Sequence, residues 1–189
     1  MVQIRWAILP GFLIGCVAVA LFAGLFNQPE VVLAAVEDKA VESAQSETAP
    51  SGDCQISGRY PESVRQWCGW IEREAGKHGL DANLIAAVML QESGGNASAY
   101  SKSGAVGLMQ VMPRDGIAAS FQCVNGPCFI NRPSMDELFE PEFNIIYGTK
   151  MLAGLIGKYG NERDALKSYG PRDVGYYYAD IVLNIYQTY

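Results

Sequence analysis

The sequence predicts a mainly α protein, with one globular domain behind an N-terminal apolar segment. Three observations carry this. Apolar residues recur at three- and four-residue spacing from Val64 onward. Capping and turn residues such as Gly79, Asp81, Gly94 and Asn161 separate those runs. Strand signals are weak apart from a short hairpin at Cys123–Cys128. The 189 residues, 49% of them hydrophobic, suffice for one domain of ordinary size and some extra segments.

The extra segments lie at the N-terminus. Residues 6–26 contain no charged side chain, a run about long enough to cross a ~30 Å hydrocarbon core as a helix. Arg5 precedes it and Glu30, Glu37 and Asp38 follow, so the positive-inside tendency leaves residues 1–5 in the cytoplasm and exports the rest. Three readings compete. A signal peptide could be cut near Val32-Leu33-Ala34-Ala35, and Leu13-Ile14-Gly15-Cys16 resembles a lipoprotein box. Lipidation is disfavoured because Val17 to Phe26 stay apolar. An uncleaved transmembrane anchor is favoured, because the apolar run is longer than a signal-peptide core. All three export the domain. Residues 27–53 carry six acids against Lys39 alone and read as a flexible acidic linker. The folded domain then spans 54–189.

Cysteine usage agrees with export. With Cys16 set aside, Cys54, Cys68, Cys123 and Cys128 remain. Their even number suggests two disulfides, and sequence-local pairing of Cys54 with Cys68 and Cys123 with Cys128 is favoured among three connectivities. A metal site is poorly supported, since there is no CxxC pair and His78 is the only histidine. One histidine among charged residues also disfavours Ser-His-Asp or Cys-His catalysis. Carboxylates and tyrosines are left as the chemical groups. The formal net charge of −6 excludes a basic nucleic-acid footprint.

Within the domain, Pro61 suits a first helical position, and Val64, Trp67, Ile71 and Ala75 mark a helix ending at Gly79. Asp81 is the expected N-cap of a second helix, which Gly94-Gly95-Asn96 stops. Residues 97–140 are broken by Gly and Pro into loops and short helical turns. Helical spacing resumes from about Glu142 to Lys158. Asn161 caps a short helix to Tyr169, and a last helix covers roughly Asp173 to Tyr186.

Glu92 is the carboxylate that does not fit its surroundings. Leu84, Val88 and Glu92 are spaced four apart and share one helix face. The stretch Leu84–Leu90 is apolar throughout, so a carboxyl at its end is expected to be desolvated and raised in pKa, as a glycosidase acid requires. The competing reading is a solvated side chain at a helix C-terminus. Periodicity alone does not choose.

Motifs beyond the helix do. Glu92-Ser93-Gly94-Gly95-Asn96, then Ser103-Gly104-Ala105-Val106-Gly107-Leu108-Met109-Gln110-Val111-Met112-Pro113, resemble the soluble lytic transglycosylase family, whose lysozyme-like domain carries ES and GLMQ motifs. The run from Asp136 to Ile145 followed by Gly148, and Ala165-Leu166-Lys167-Ser168-Tyr169, resemble later family segments. The likeness spans roughly residues 61–189. It implies Glu92 as the catalytic acid/base and Gln110 as a substrate-binding residue, with Met109 in the same cleft-lining loop. It also implies Ser93 as a supporting hydrogen bonder, Tyr169 as the motif tyrosine, and Tyr178 as a last-helix tyrosine near the glutamate. Gly104 and Gly107 would let backbone approach a sugar. Core packing is the competing reading for Met109 and both tyrosines.

The implied activity is cleavage of the bond between N-acetylmuramic acid and N-acetylglucosamine in peptidoglycan, a lyase-type reaction giving 1,6-anhydro ends. No metal or cofactor is required. Hydrolysis in the manner of goose-type lysozymes, and a glycan-binding module without catalysis, remain open alternatives. The implied partners are glycan strands, the membrane, and either an envelope-spanning machine or wall turnover. Two departures stand out. Gly170 replaces the family's motif asparagine, and the Cys123–Cys128 insertion is either a cleft rim or a remote surface staple.

Overall fold

Local capping chemistry accounts for most of the helix boundaries in the computed structural model, which describes residues 54–189. The expected membrane segment 6–26, its signal-peptide and Cys16 alternatives, and the linker 27–53 lie outside the described residues. Among the described residues, no helix is long and apolar enough to cross a membrane.

Among the described residues, seven α-helices follow in order: α1 (Glu62–Arg65), α2 (Cys68–His78), α3 (Ala82–Ser93), α4 (Met135–Phe139), α5 (Pro141–Tyr159), α6 (Glu162–Tyr169) and α7 (Tyr177–Thr188). Between α3 and α4 lies a two-stranded antiparallel hairpin, β1 (Gln122–Cys123) and β2 (Gly126–Pro127), with Gln122 opposite Pro127. The Asp81 carboxylate accepts from the Asn83 N–H at 2.8 Å to start α3, and Gly94 ends it at φ 65°, a left-handed conformation glycine adopts without strain. Asn161 caps α6 through the Asp164 N–H at 2.8 Å.

Three boundaries differ from the sequence expectation. Pro61 is the N-cap of α1 rather than its first residue. The helix expected from Pro61 to Gly79 breaks at Gln66–Trp67 into α1 and α2, and there the Trp67 indole N–H donates to the Gly95 carbonyl at 3.0 Å. A tertiary bond thus accompanies the break. The last helix starts at Tyr177 rather than Asp173, because Gly175 takes φ 60° and ψ −127°, which no helix continues through.

Helix α3 is the buried centre. Leu84 through Met89 are all buried, and α1, α2 and α7 pack around the helix. Its four large side chains (Leu84, Ile85, Val88 and Met89) contribute about 1.5–3 kcal/mol each on burial. Helix α5 packs against α2, α4 and α6, and α6 against α7. On α2 the inner face is apolar except for Glu74, wholly buried and paired with Arg73 at 3.2 Å and Lys77 at 3.4 Å. His78, the single histidine, lies 3.8 Å from the same carboxylate.

Both favoured disulfides form. Cys54–Cys68 ties the start of the described chain to α2, and Cys123–Cys128 closes the hairpin. On a chain-entropy model, loops of these sizes stabilise by about 3 and about 2 kcal/mol.

Gly148 fixes how closely the loop before α4 lies on α5. A Cβ there would stand 2.4 Å from the Met109 Cβ. Alanine normally improves a helix interior by up to about 1 kcal/mol over glycine, but overpacking costs about 1–3 kcal/mol. Gly148→Ala is therefore expected to destabilise the domain by one to a few kcal/mol, read by chemical denaturation; a gain in stability would contradict this packing.

Candidate active site

Helix α3 delivers Glu92 to its C-terminal turn, where the apolar stripe of Leu84 and Val88 continues beneath it. Burial pushes its carboxyl pKa up from 4.5 to about 7, and a hydrogen bond from Tyr178 opposes part of that rise. The phenol of Tyr178, from the start of α7, donates to Glu92 Oε1. No neighbouring carboxylate contributes to the shift. Near neutral pH the group is therefore divided between acid and base forms.

The loop after α3 is held by side chains from three helices. Val106 bridges Tyr100 on one side and Val111 on the other. The buried amide of Asn144, on α5, accepts from the Met109 N–H at 2.7 Å. It donates to the Val106 and Leu138 carbonyls at 2.9 and 2.8 Å. Ser93 Oγ, from α3, donates to the Leu108 carbonyl at 2.8 Å and accepts from the Gly95 N–H at 3.1 Å. Tyr169, from α6, donates to the Met109 carbonyl at 2.8 Å. Burial holds the Tyr169 and Tyr178 phenols well above their usual range, and the Glu92 charge adds to it.

A cavity of about 890 Å³ opens beside this constellation, lined among others by Gln110, Tyr169 and Gly170. Tyr178 stands directly behind its wall, its ring packed where a Gly170 Cβ would stand, 2.4 Å from Cδ1, and Glu92 lies behind Tyr178. Gln110 carries a positive φ of 45°, a strained conformation for a residue with a side chain. Its Nε2 donates to the Gly107 and Ala99 carbonyls at 2.9 and 3.2 Å, leaving the amide oxygen for a ligand.

Some sequence expectations need correction. The Met109 side chain does not line the cleft: it is wholly buried against Gly148, and only its backbone serves the site. Gly104 and Gly107 do not clear space for a sugar. The Gly107 Cβ position lies 2.3 Å from Asn144 Nδ2, and that of Gly104 lies 2.9 Å from the Ala118 nitrogen. Their room is taken by protein. The Ser93 hydroxyl is likewise engaged by backbone. Asp115, the carboxylate nearest in sequence after the loop, accepts from the Met135 N–H at 2.8 Å.

The two departures also find their places. Cys123 and Cys128 line the cavity together with Phe121 and Phe129, so the hairpin is a cleft wall and not a remote staple. Gly170 leaves no space for an asparagine while Tyr178 keeps its contact with Glu92. Asn144 is the residue that sequence reasoning missed. Its signal was an amide at a helix position flanked by Ile145 and Gly148, where apolar spacing predicts burial.

The family model described as the transglycosylase SLT domain matches residues 69–175. The chain belongs to this family. A membrane-bound lytic murein transglycosylase E from Buchnera aphidicola subsp. Acyrthosiphon pisum is 36% identical over 97 residues, covering 51% of this chain and 42% of that protein. An endo-type membrane-bound lytic murein transglycosylase A from Klebsiella pneumoniae subsp. pneumoniae is 39% identical over 88 residues, covering 47% and 42%. The chain thus spans under half the length of these curated relatives. The X-ray structure of an inactive mutant of lytic transglycosylase Slt from Pseudomonas aeruginosa superposes with a TM-score of 0.51 at 24% identity. It covers 68% of this chain and 24% of that one. That likeness supports the mainly helical, lysozyme-like fold of the SLT domain.

Desolvation of Glu92 has a stability consequence. Its folded pKa of about 7 lies above the unfolded 4.5, so the protonated protein keeps full stability below the unfolded value. Stability is lost as pH rises from there through the folded pKa, by about 3 kcal/mol for a displacement of this size. Glu92→Gln removes that loss. The variant should melt higher than wild type at pH 8 and close to it at pH 4, by calorimetry; equal differences at both pH values would contradict the assigned burial.

Proposed function

We propose that the SLT domain cleaves the β-1,4 bond between N-acetylmuramic acid and N-acetylglucosamine in peptidoglycan, with Glu92 as its single acid/base and 1,6-anhydromuramoyl ends as product. The observation that carries this reading is a lone desolvated carboxyl, poised near neutral pKa and bonded to Tyr178, whose ring backs Gly170 of the cleft wall. A carboxyl of this kind can give a proton and take one back within one turnover.

In the first step protonated Glu92 gives its proton to the glycosidic oxygen as the bond to the muramoyl anomeric carbon breaks. The substrate's own acetamido oxygen bonds to that carbon as the N-acetylglucosamine alcohol leaves. In the second step the Glu92 carboxylate takes the proton of the muramoyl 6-hydroxyl, whose oxygen displaces the acetamido oxygen and closes the anhydro ring. Glu92 is protonated again and no water is consumed. Tyr178 steadies the ionised form between the steps, and Gln110 offers its amide oxygen to an acetamido N–H. Both relatives named above are called lytic murein transglycosylases, which supports the same reaction class here.

The setting follows from composition. Two disulfides suit an oxidising compartment, the run 6–26 suits a membrane anchor, and residues 27–53 suit a tether toward the wall. The relatives are named membrane-bound, in keeping with a domain held at the outer face of the membrane. Local opening of the wall, for turnover or for an envelope-spanning machine, is the process such an arrangement serves.

Mass spectrometry of products from purified peptidoglycan tests the reaction, because the anhydro product is lighter than the hydrolytic one by one water. Anhydro ends are expected from wild type, and Glu92→Gln should lower the rate by about 10²–10⁴-fold. Only reducing ends would replace transglycosylation with hydrolysis, and full activity of Glu92→Gln would remove Glu92 from its role.

The pH profile gives a second test. The acid works protonated, so activity should fall as pH rises through about 7. The Tyr178 hydrogen bond favours the ionised form, and its loss raises the pKa further. Tyr178→Phe should therefore move the descending limb to higher pH, and Gly170→Asn, by displacing the ring, should do the same. An unmoved limb would sever Tyr178 from the acid.

A further inference from the structure

Tyr178 reaches Glu92 from the first turn of α7, yet the turn leading into that helix, Arg172–Val174, buries no residue. The aim of the hydroxyl therefore depends on what holds the start of α7. Tyr176 and Asp180 flank Tyr178 and are spaced four apart, on one face of the helix. Tyr178 lies two positions from each, about 200° around the axis at 3.6 residues per turn. It is buried, while the Asp180 side chain is half exposed.

The outer face is bound to α6 at both positions. The Tyr176 hydroxyl donates to Asp164 Oδ1 at 2.6 Å. The Arg163 and Lys167 charges lie 4.1 and 4.3 Å from the centroid of the Tyr176 ring, within cation–π range. Arg163 also grips Asp180 with two hydrogen bonds, Nε to Oδ1 at 2.7 Å and Nη2 to Oδ2 at 3.0 Å, a planar fork that lysine does not reproduce. Asp164 is itself fixed, because Asn161 Nδ2 donates to its other oxygen at 2.7 Å. Arg163 holds the Asp180 carboxyl below its ordinary range, and the Tyr176 hydroxyl does the same for Asp164.

Exposed pairs add little to stability one by one. Their concentration on the face opposite the residue that bonds Glu92 gives them a geometric role. We propose that Arg163, Asp164, Lys167 and Tyr176 are positioning residues, a brace that fixes the rotation of α7 against α6 and so aims the Tyr178 hydroxyl at Glu92. The inference rests on the roles proposed for Glu92 and Tyr178 and adds how their contact is kept. Among the described residues, Glu92 faces two titratable groups, Tyr178 on α7 and Tyr169 on α6. No charged group of α1, α2 or the brace contributes to its raised pKa, so the brace acts through Tyr178.

A ¹³C titration of the Glu92 carboxyl in the full chain tests this. The double variant Arg163→Lys, Tyr176→Phe keeps every charge while removing the fork and the hydroxyl. Tyr178 favours the ionised carboxyl, so loosening its bond should raise the Glu92 midpoint, by roughly half a pH unit for a weakened hydrogen bond. In a Tyr178→Phe background the same two substitutions should move the midpoint no further. Glu142→Gln, which breaks a part-exposed pair with Arg73 between α2 and α5, should leave it in place. An unmoved midpoint in the double variant, an equal rise with Tyr178→Phe already present, or a matching rise in Glu142→Gln would overturn the inference. The readout is a proton affinity rather than cleavage. A chain that cleaves nothing but keeps this coupling would count against the proposed reaction and leave the brace standing.

Discussion

The site depends on one buried amide. Asn144 makes three hydrogen bonds to backbone from the first turn of α5, binding Met109, Val106 and Leu138 at once. A buried polar group left without such partners costs about 1–3 kcal/mol, so the loop cannot leave α5 without exposing several unpaired groups. Two glycines make the clamp sterically feasible. Gly107 admits the amide and Gly148 admits Met109, each at a position where a Cβ would stand under 2.5 Å from its neighbour. Ser93 then fastens α3 to Leu108, and Tyr169 fastens α6 to Met109, in the same loop. Three helices are thereby indexed to one short segment, and the cleft lies along it.

That frame sets the character of Glu92. Its carboxyl is carried on the most buried helix and loses solvation there. Desolvation outweighs the single hydrogen bond from Tyr178, and the pKa settles near neutrality. Were the Tyr178 bond joined by further donors, the group would ionise fully and could not serve as an acid. The ring reaches Glu92 over Gly170, where a side chain would block it. The loss of the family's asparagine and the tyrosine contact are thus two sides of one steric choice. In the proposed reaction a single carboxyl covers both proton transfers, and the substrate's acetamido group and 6-hydroxyl supply the nucleophiles.

Much of the local structure was legible in the sequence. Asp81, Gly94 and Asn161 fixed helix ends because capping is decided within a few residues. The disulfides followed from short separations, and the apolar stripe under Glu92 from spacing along one helix. What escaped depends on pairs distant in sequence. Tyr178 and Glu92 are 86 residues apart, and Asn144 and Met109 are 35 apart. No local pattern could show that Gly104 and Gly107 make room for protein rather than sugar, or that Met109 faces inward. The helix that the spacing of Trp67 supported breaks at Gln66–Trp67, where the indole binds Gly95. Asn144 was the partial exception, an amide where periodicity placed an apolar residue.

The most direct test is a ¹³C NMR titration of the Glu92 carboxyl in the folded protein. A midpoint near 7 is expected, above the 4.5 of a solvated glutamate. A midpoint at the solvated value would mean that the carboxyl is hydrated and ionised at neutral pH, and the single acid/base account would fail.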